Sequence, residues 1–166
     1  MSQGLPDMLL RESRRPLAPH QPEQPPRRTK RETARALAGV PMFSDFSKRH
    51  LSRLADDADV LVFERGQTIV REGDPGETLF VVLAGSGKVA RGGRKVGAVV
   101  PGDFFGELSA IDGGARSASV VAETPMQVLR LFRRTLMSLI KDEPQLSLKL
   151  LDGIVRRVRQ VERSTS

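Results

Sequence analysis

Two oppositely charged side chains, Glu107 and Arg116, lie nine residues apart in a segment rich in glycine and serine. The stretch Phe105-Gly106-Glu107-Leu108-Ser109 can form one helical turn whose free backbone N–H groups face an anion. Arg116 adds a planar, permanently charged guanidinium that can bind two phosphate oxygens together. An ionised Glu107 only accepts hydrogen bonds, so it requires a donor such as a sugar hydroxyl. The segment therefore favours a small ligand that is anionic at one end and carries a hydroxyl at the other.

This stretch, followed by Ala115-Arg116-Ser117-Ala118-Ser119, resembles the phosphate-binding cassette of cyclic nucleotide-binding domains, the family of catabolite activator protein and of kinase regulatory subunits. The resemblance implies that Glu107 binds the ribose 2′-hydroxyl and that Arg116 binds the exocyclic phosphate oxygens. It also implies that four further residues line the same cradle, namely Gly106, Leu108, Ser109 and Ser117. The expected ligand is cAMP, with cGMP as the alternative, and no cofactor is expected.

A second segment, Ile69 to Gly85, is similar to the strand-turn-strand signature of the same family. Its centre, Gly73-Asp74-Pro75-Gly76, has the composition of a turn. The apolar run from Leu79 to Leu83 has the length and composition of a strand. The two signatures stand in the order that the family shows, and the similarity covers roughly residues 36–163.

The resemblance departs from the family pattern at Ala110, where the family usually has a bulky aliphatic residue. In the family that aliphatic group relays ligand binding to the C-terminal helices. A weaker relay is therefore expected here, with Ile111 as the side chain that could replace it. The predicted phosphate and ribose contacts do not depend on this position.

The fold predicted is mainly β with flanking α-helices, because short β-like runs from Val60 to Phe132 are separated by glycine and proline. The residues alone leave a sandwich and a barrel open, whereas the resemblance implies a β-roll of the jelly-roll type. Four parts are expected: a basic, proline-rich, disordered tail (1–29), an N-terminal helical segment (30–58), the β-roll (59–132) with its cassette (104–118), and two C-terminal helices (133–163). Thr29 and Glu32 form a candidate capping box for the first helix.

The last helix carries Leu151, Ile154, Val158 and Val161 at a spacing that places them on one face. That face either packs on the chain's own barrel or forms the seam of a homodimer, as the last helix of the family often does. The chain ends shortly after this helix, so a binding module without a helix-turn-helix or catalytic domain is expected.

Composition excludes several kinds of site. The chain has 166 residues, a net charge of +7 and no cysteine, so neither a disulfide nor a thiolate metal site can form. No glycine-rich run matches a Walker-type phosphate loop, and no side chains have the spacing of a catalytic pair or a metal site. The predictions are no catalytic residues, no metal, no membrane span and a cytoplasmic location.

These patterns support two hypotheses about function. The first is a cyclic nucleotide sensor that regulates an effector protein not identifiable from the sequence. The second is an interaction protein in which the barrel serves as a scaffold. In that case the basic tail and the arginine-rich last helix would bind RNA, a ribosome or an acidic protein, since residues 1–33 hold seven basic and four acidic side chains.

Overall fold

The computed structural model describes residues 29–164 of the chain. The tail predicted to be disordered lies outside the described residues except for Thr29, which belongs to the first helix as its cap. The Thr29 hydroxyl accepts a hydrogen bond from the Glu32 backbone N–H at 3.2 Å, and the Glu32 carboxylate accepts one from the Thr29 N–H at 2.8 Å. The predicted capping box is therefore confirmed.

Helices precede and follow the strands along the chain. The N-terminal elements are α1 (Lys30–Ala38), a 3-10 turn (Pro41–Phe43) and α2 (Lys48–Asp57). The strands are β1 (Asp59–Phe63), β2 (Thr68–Val70), β3 (Thr78–Ala84), β4 (Gly87–Arg91), β5 (Arg94–Val99), β6 (Phe104–Phe105), β7 (Ser119–Ala122) and β8 (Met126–Phe132). The remaining helices are α3 (Glu107–Asp112), α4 (Arg133–Asp142) and α5 (Gln145–Ser164).

The strands form two four-stranded antiparallel sheets with the orders β1-β8-β3-β6 and β2-β7-β4-β5. The predicted fold class, mainly β with flanking helices, is confirmed. The sequence does not predict strand β6, because two residues are too short to show a period. The strand exists because Phe104 and Phe105 pair with Val81 and Phe80 of β3.

Strand β3 divides the core into two layers because its side chains alternate between its faces. Leu79 and Val81 face the helices and join the cluster that contains Phe43, Leu54 and Leu136. Phe80 and Val82 face the second sheet and join a cluster with side chains such as Val99, Val120 and Met126. The central strands of the first sheet, β3 and β8, are therefore buried on both faces, and helix α3 of the cassette contacts β3.

Candidate ligand-binding site

The two sequence signatures meet through their main chains. The Arg116 N–H donates to the carbonyl of Asp74 at 2.8 Å, and the Arg116 carbonyl accepts from the N–H of Gly73 at 2.9 Å. A single antiparallel bridge joins Pro75 to Ala115. The turn of the first signature thus holds the backbone of the arginine in the second, which explains how the turn between β2 and β3 contributes to the site.

The Arg116 side chain is 7% exposed and is fixed by three hydrogen bonds. Its Nη1 donates to the carbonyl of Thr78 at 2.8 Å and to that of Gly106 at 3.1 Å, and its Nη2 donates to the Thr78 hydroxyl at 2.7 Å. The Nε–H and one Nη2–H have no acceptor among the described residues, so they form a fork available to an anion. Burial lowers the pKa of Arg116 below its ordinary value, and the charge of Glu107 opposes this shift.

Two glycines provide the space that the guanidinium occupies. A Cβ at Gly76 would collide with the guanidinium of Arg116, and a Cβ at Gly106 would lie 2.5 Å from Nη1 of the same side chain. Gly106 also has a φ of 78°, a left-handed backbone conformation that favours glycine, at the start of α3. A side chain at either position would displace Arg116 from the cassette.

Glu107 is 4% exposed and lies at the first position of α3. Its Oε1 accepts from Nη1 of Arg157 on α5 at 2.5 Å. Its Oε2 is buried and has no hydrogen-bond partner among the described residues. Leaving a buried carboxylate oxygen unpaired costs free energy, so this atom can accept a hydrogen bond from a group that enters the cavity.

All six predicted site residues line one cavity of about 340 Å³: Gly106, Glu107, Leu108, Ser109, Arg116 and Ser117. The cavity has a charged end at the cassette and an apolar wall that includes Val70, Val89, Val96, Val99 and Val120. Ile154, Val158 and Val161 of α5 also line it. A cavity of this size with few polar groups among apolar side chains is typical of a small-molecule site.

Sequence reasoning does not find four residues of the site, namely Gly76, Thr78, Arg91 and Arg157. Gly76 and Thr78 lie inside the strand-turn-strand signature, but nothing in their spacing predicts a contact with Arg116. Arg157 is one of several arginines on α5, and only the packing of that helix selects it as the partner of Glu107. Its guanidinium also lies 5.2 Å above the ring centre of Phe104.

The structure corrects the expectation about Ile111 and places the apolar side chains of α5, whose role in a homodimer stays a prediction. Ile111 is 37% exposed, whereas Ala110 is fully buried in the core between the first sheet and the helices, so Ile111 does not replace a bulky residue at position 110. Ile154 is half-buried and lines the cavity. The exposed apolar side chains of α5 that do not line the cavity are Leu148, Leu151 and Val155, whereas the exposed Val158 and Val161 line it together with Ile154.

Within residues 29–164 no group of three or more His, Cys, Asp or Glu side chains could hold a metal ion. His50, the one histidine of this part, contacts the Glu143 carboxylate through Nδ1. None of the described helices is both long enough and apolar enough to cross a bilayer.

Comparison with known proteins identifies the family. A family model described as the cyclic nucleotide-binding domain matches residues 60–143, just over half of the chain. The chain belongs to this family. The matched segment contains all of the strands from β2 to β8, the cassette and α4. The family that the two signatures suggested is therefore confirmed.

Among curated relatives of this cyclic nucleotide-binding domain is a CRP-like cAMP-activated global transcriptional regulator from Mycobacterium tuberculosis, 33% identical over 129 residues. The alignment covers 75% of this chain and 58% of the regulator. The chain thus spans little more than half the length of that relative.

Solved structures share the fold. A cyclic nucleotide-binding domain from Methylobacillus flagellatus has a TM-score of 0.62 and 29% identity, over 81% of this chain and 79% of that one. A structure described as cAMP-bound PfPKA-R has a TM-score of 0.74 at 21% identity, over 82% and 47% of the two chains. This second likeness concerns the fold alone. The predicted β-roll is confirmed.

Proposed function

We propose that this chain is a cyclic nucleotide sensor that prefers cAMP over cGMP. The observation that carries the proposal is that two side chains of one cavity have hydrogen-bonding atoms without a partner among the described residues. Arg116 has two unassigned N–H donors, and Glu107 has one buried acceptor without a partner among the described residues. A cyclic phosphate next to a ribose hydroxyl satisfies both, because the phosphate offers only acceptors and the hydroxyl offers a donor.

The remaining surface of the cavity suits the base of the nucleotide. Valines from β2, β4, β5 and β7 line the cavity, and so do Val158 and Val161 of α5. A purine placed against them would bury its apolar faces, which is favourable in proportion to the area removed from water. The preference for cAMP is supported by the mycobacterial relative described as cAMP-activated.

The signal would pass through α5. This helix contributes Arg157 to Glu107 and several side chains to the cavity. A ligand that binds one position of α5 better than another shifts the population of the two. The effector protein that responds, the cytoplasmic location and the absence of catalysis stay predictions.

A homodimer through α5 is a second part of the proposal. Leu148, Leu151 and Val155 are exposed, do not line the cavity and follow a 3-4 spacing along the helix. This spacing is that of a two-stranded coiled coil. The alternative function is a scaffold whose basic tail and arginine-rich last helix bind RNA, a ribosome or an acidic protein; the tail lies almost wholly outside the described residues, and this function also stays a prediction.

Calorimetric titration of the full chain with cAMP and with cGMP tests the proposal. We expect binding of both, tighter for cAMP, and at least about 100-fold weaker binding by Arg116→Ala, since hydrogen bonds to charged groups contribute about 1.5–3 kcal/mol each. Arg116→Lys keeps the charge but loses the planar fork, so it serves as a variant that is less prone to unfold.

Circular dichroism and thermal melting of each variant provide the folding control. The proposal is rejected if well-folded wild-type protein shows no binding of either nucleotide. Equal affinity of the wild type and of folded Arg116→Lys and Arg116→Ala would reject the role given to the guanidinium.

A further inference from the structure

The charged side chains that line the cavity do not balance one another. They are three arginines and two glutamates: Arg91, Arg116, Arg157, Glu107 and Glu162. Arg157 is paired with Glu107, and the charge of Glu107 also acts on Arg116. The lining therefore carries one positive charge in excess. A cyclic phosphate diester carries one negative charge, so such a ligand would bring the cavity to neutrality.

Arg91 takes no part in the contact between Glu107 of the cassette and Arg157 of α5. It ends β4, two residues after Val89, and both residues line the cavity. Lys88, between Gly87 and Val89 on the same strand, does not line it, as expected when successive side chains point to opposite faces. Arg91 therefore lies on the cavity side of β4, whereas Lys88 lies on the opposite side.

One hydrogen bond determines where the Arg91 guanidinium lies. Its Nε donates to the carbonyl of Ser117 at 3.1 Å. Ser117 directly follows Arg116, so this bond places the second guanidinium beside the cassette end of the cavity. Among the described residues, no carboxylate lies within 4.0 Å of Arg91, and its Nη atoms have no acceptor. Four N–H donors with a full charge are therefore available on the cavity rim.

We infer that Arg91 is a second cationic contact for the anionic group of the ligand, opposite the fork of Arg116. This inference rests on the proposed function of the cavity. An unpaired guanidinium is attracted more strongly by a charged phosphate than by the neutral edge of a base, because two opposite charges attract each other more strongly than a charge attracts a dipole at the same distance. The side chain is exposed, so its contribution is moderate and depends on the salt concentration.

The test is calorimetric titration of the full chain and its Arg91→Gln, Arg91→Lys and Lys88→Gln variants with cAMP and cGMP, at low and at high salt. At low salt we expect Arg91→Gln to bind both nucleotides about three- to tenfold more weakly, by the same factor for each. High salt should reduce that factor, since mobile ions screen exposed charges. Arg91→Lys should retain part of the affinity, and Lys88→Gln should bind like the wild type.

Each contrary outcome is distinct. If Arg91→Gln binds like Lys88→Gln, then Arg91 is only a solvated surface charge and the inference is wrong. A loss that differs between cAMP and cGMP would mean that Arg91 contacts the base, which overturns its assignment to the anion. Failure of the wild type to bind either nucleotide rejects the proposed function itself. If the wild type binds and the Arg91→Gln variant has the same affinity, only this inference is rejected. Matching melting temperatures confirm that the variants are folded.

Discussion

Thr78 is the residue that directs Arg116 toward the cavity. Its carbonyl accepts a hydrogen bond from Nη1 and its hydroxyl accepts one from Nη2, so one residue binds two of the three guanidinium nitrogens. The remaining N–H donors, on Nε and Nη2, lie next to each other on one edge of the guanidinium. The orientation of the arginine is therefore fixed by the protein before any ligand binds, which reduces the entropy lost on binding.

Replacing Thr78 by valine removes the hydroxyl acceptor but keeps the shape and the backbone carbonyl. We expect the affinity for cAMP to fall about fivefold, which corresponds to about 1 kcal/mol for one hydrogen bond. Thr68→Val is the matched control, because Thr68 is exposed on β2 and does not line the cavity. Calorimetry measures both. Equal affinities of the two variants would show that the hydroxyl does not orient Arg116.

At the scale of elements, the close approach of α5 to the cassette depends on Gly153. A Cβ at this position would overlap the ring of Phe104, with 2.7 Å to its Cε1 atom. Arg157 lies one turn further along the same face and contacts both Phe104 and Glu107. The glycine therefore sets how near the helix lies to the carboxylate that we assign to the ribose.

Gly153→Ala should push α5 away from Phe104 and withdraw Arg157 from Glu107. We expect a loss of about 1–3 kcal/mol in the free energy of unfolding, as overpacking of a core usually costs, together with weaker binding of cAMP. Chemical denaturation and calorimetry measure the two effects. Gly39→Ala is the control, because a Cβ there meets only an ordinary contact at 3.5 Å. If both alanine variants unfold and bind alike, the close packing at Gly153 has no energetic consequence.

At the scale of the whole molecule, polar contacts tie the N-terminal helices to the start of α5. His50 contacts Glu143, Arg53 donates to Asp142 at 3.1 Å, and Lys149 lies 2.9 Å from Asp45. These contacts join α2 and the segment before it to the end of α4 and the start of α5. The exposed apolar side chains of α5 outside the cavity begin beside this junction at Leu148 and continue to Val155.

Glutamine at both Leu151 and Val155 should weaken the proposed homodimer, because it removes apolar side chains that a partner helix would bury. We expect sedimentation velocity to show a shift from dimer to monomer in the double variant. Val62→Gln is the control, since Val62 is exposed on β1. A wild-type protein that sediments as a monomer at all accessible concentrations would contradict the proposed dimer.

Local sequence determined the cassette, the helices and the strands other than β6. The capping box at Thr29, the turn residues from Gly73 to Gly76 and the continuous apolar run of β3 act within a few residues, so their outcome is visible without tertiary contacts. The six predicted site residues also lie close together along the chain, and all of them line the cavity. Whether each one touches the ligand stays a prediction.

Only the tertiary structure decided what meets the cassette. Arg157 reaches Glu107 across 50 positions of sequence, Arg91 reaches Ser117 across 26, and Ile154 faces the cavity instead of the exposed side of α5. These choices depend on where α5 and β4 pack, because α5 carries several arginines and apolar side chains at similar spacing and β4 carries a cationic side chain at both Lys88 and Arg91. Spacing limits which residues share a face, and packing against the rest of the molecule selects the face that is turned inward.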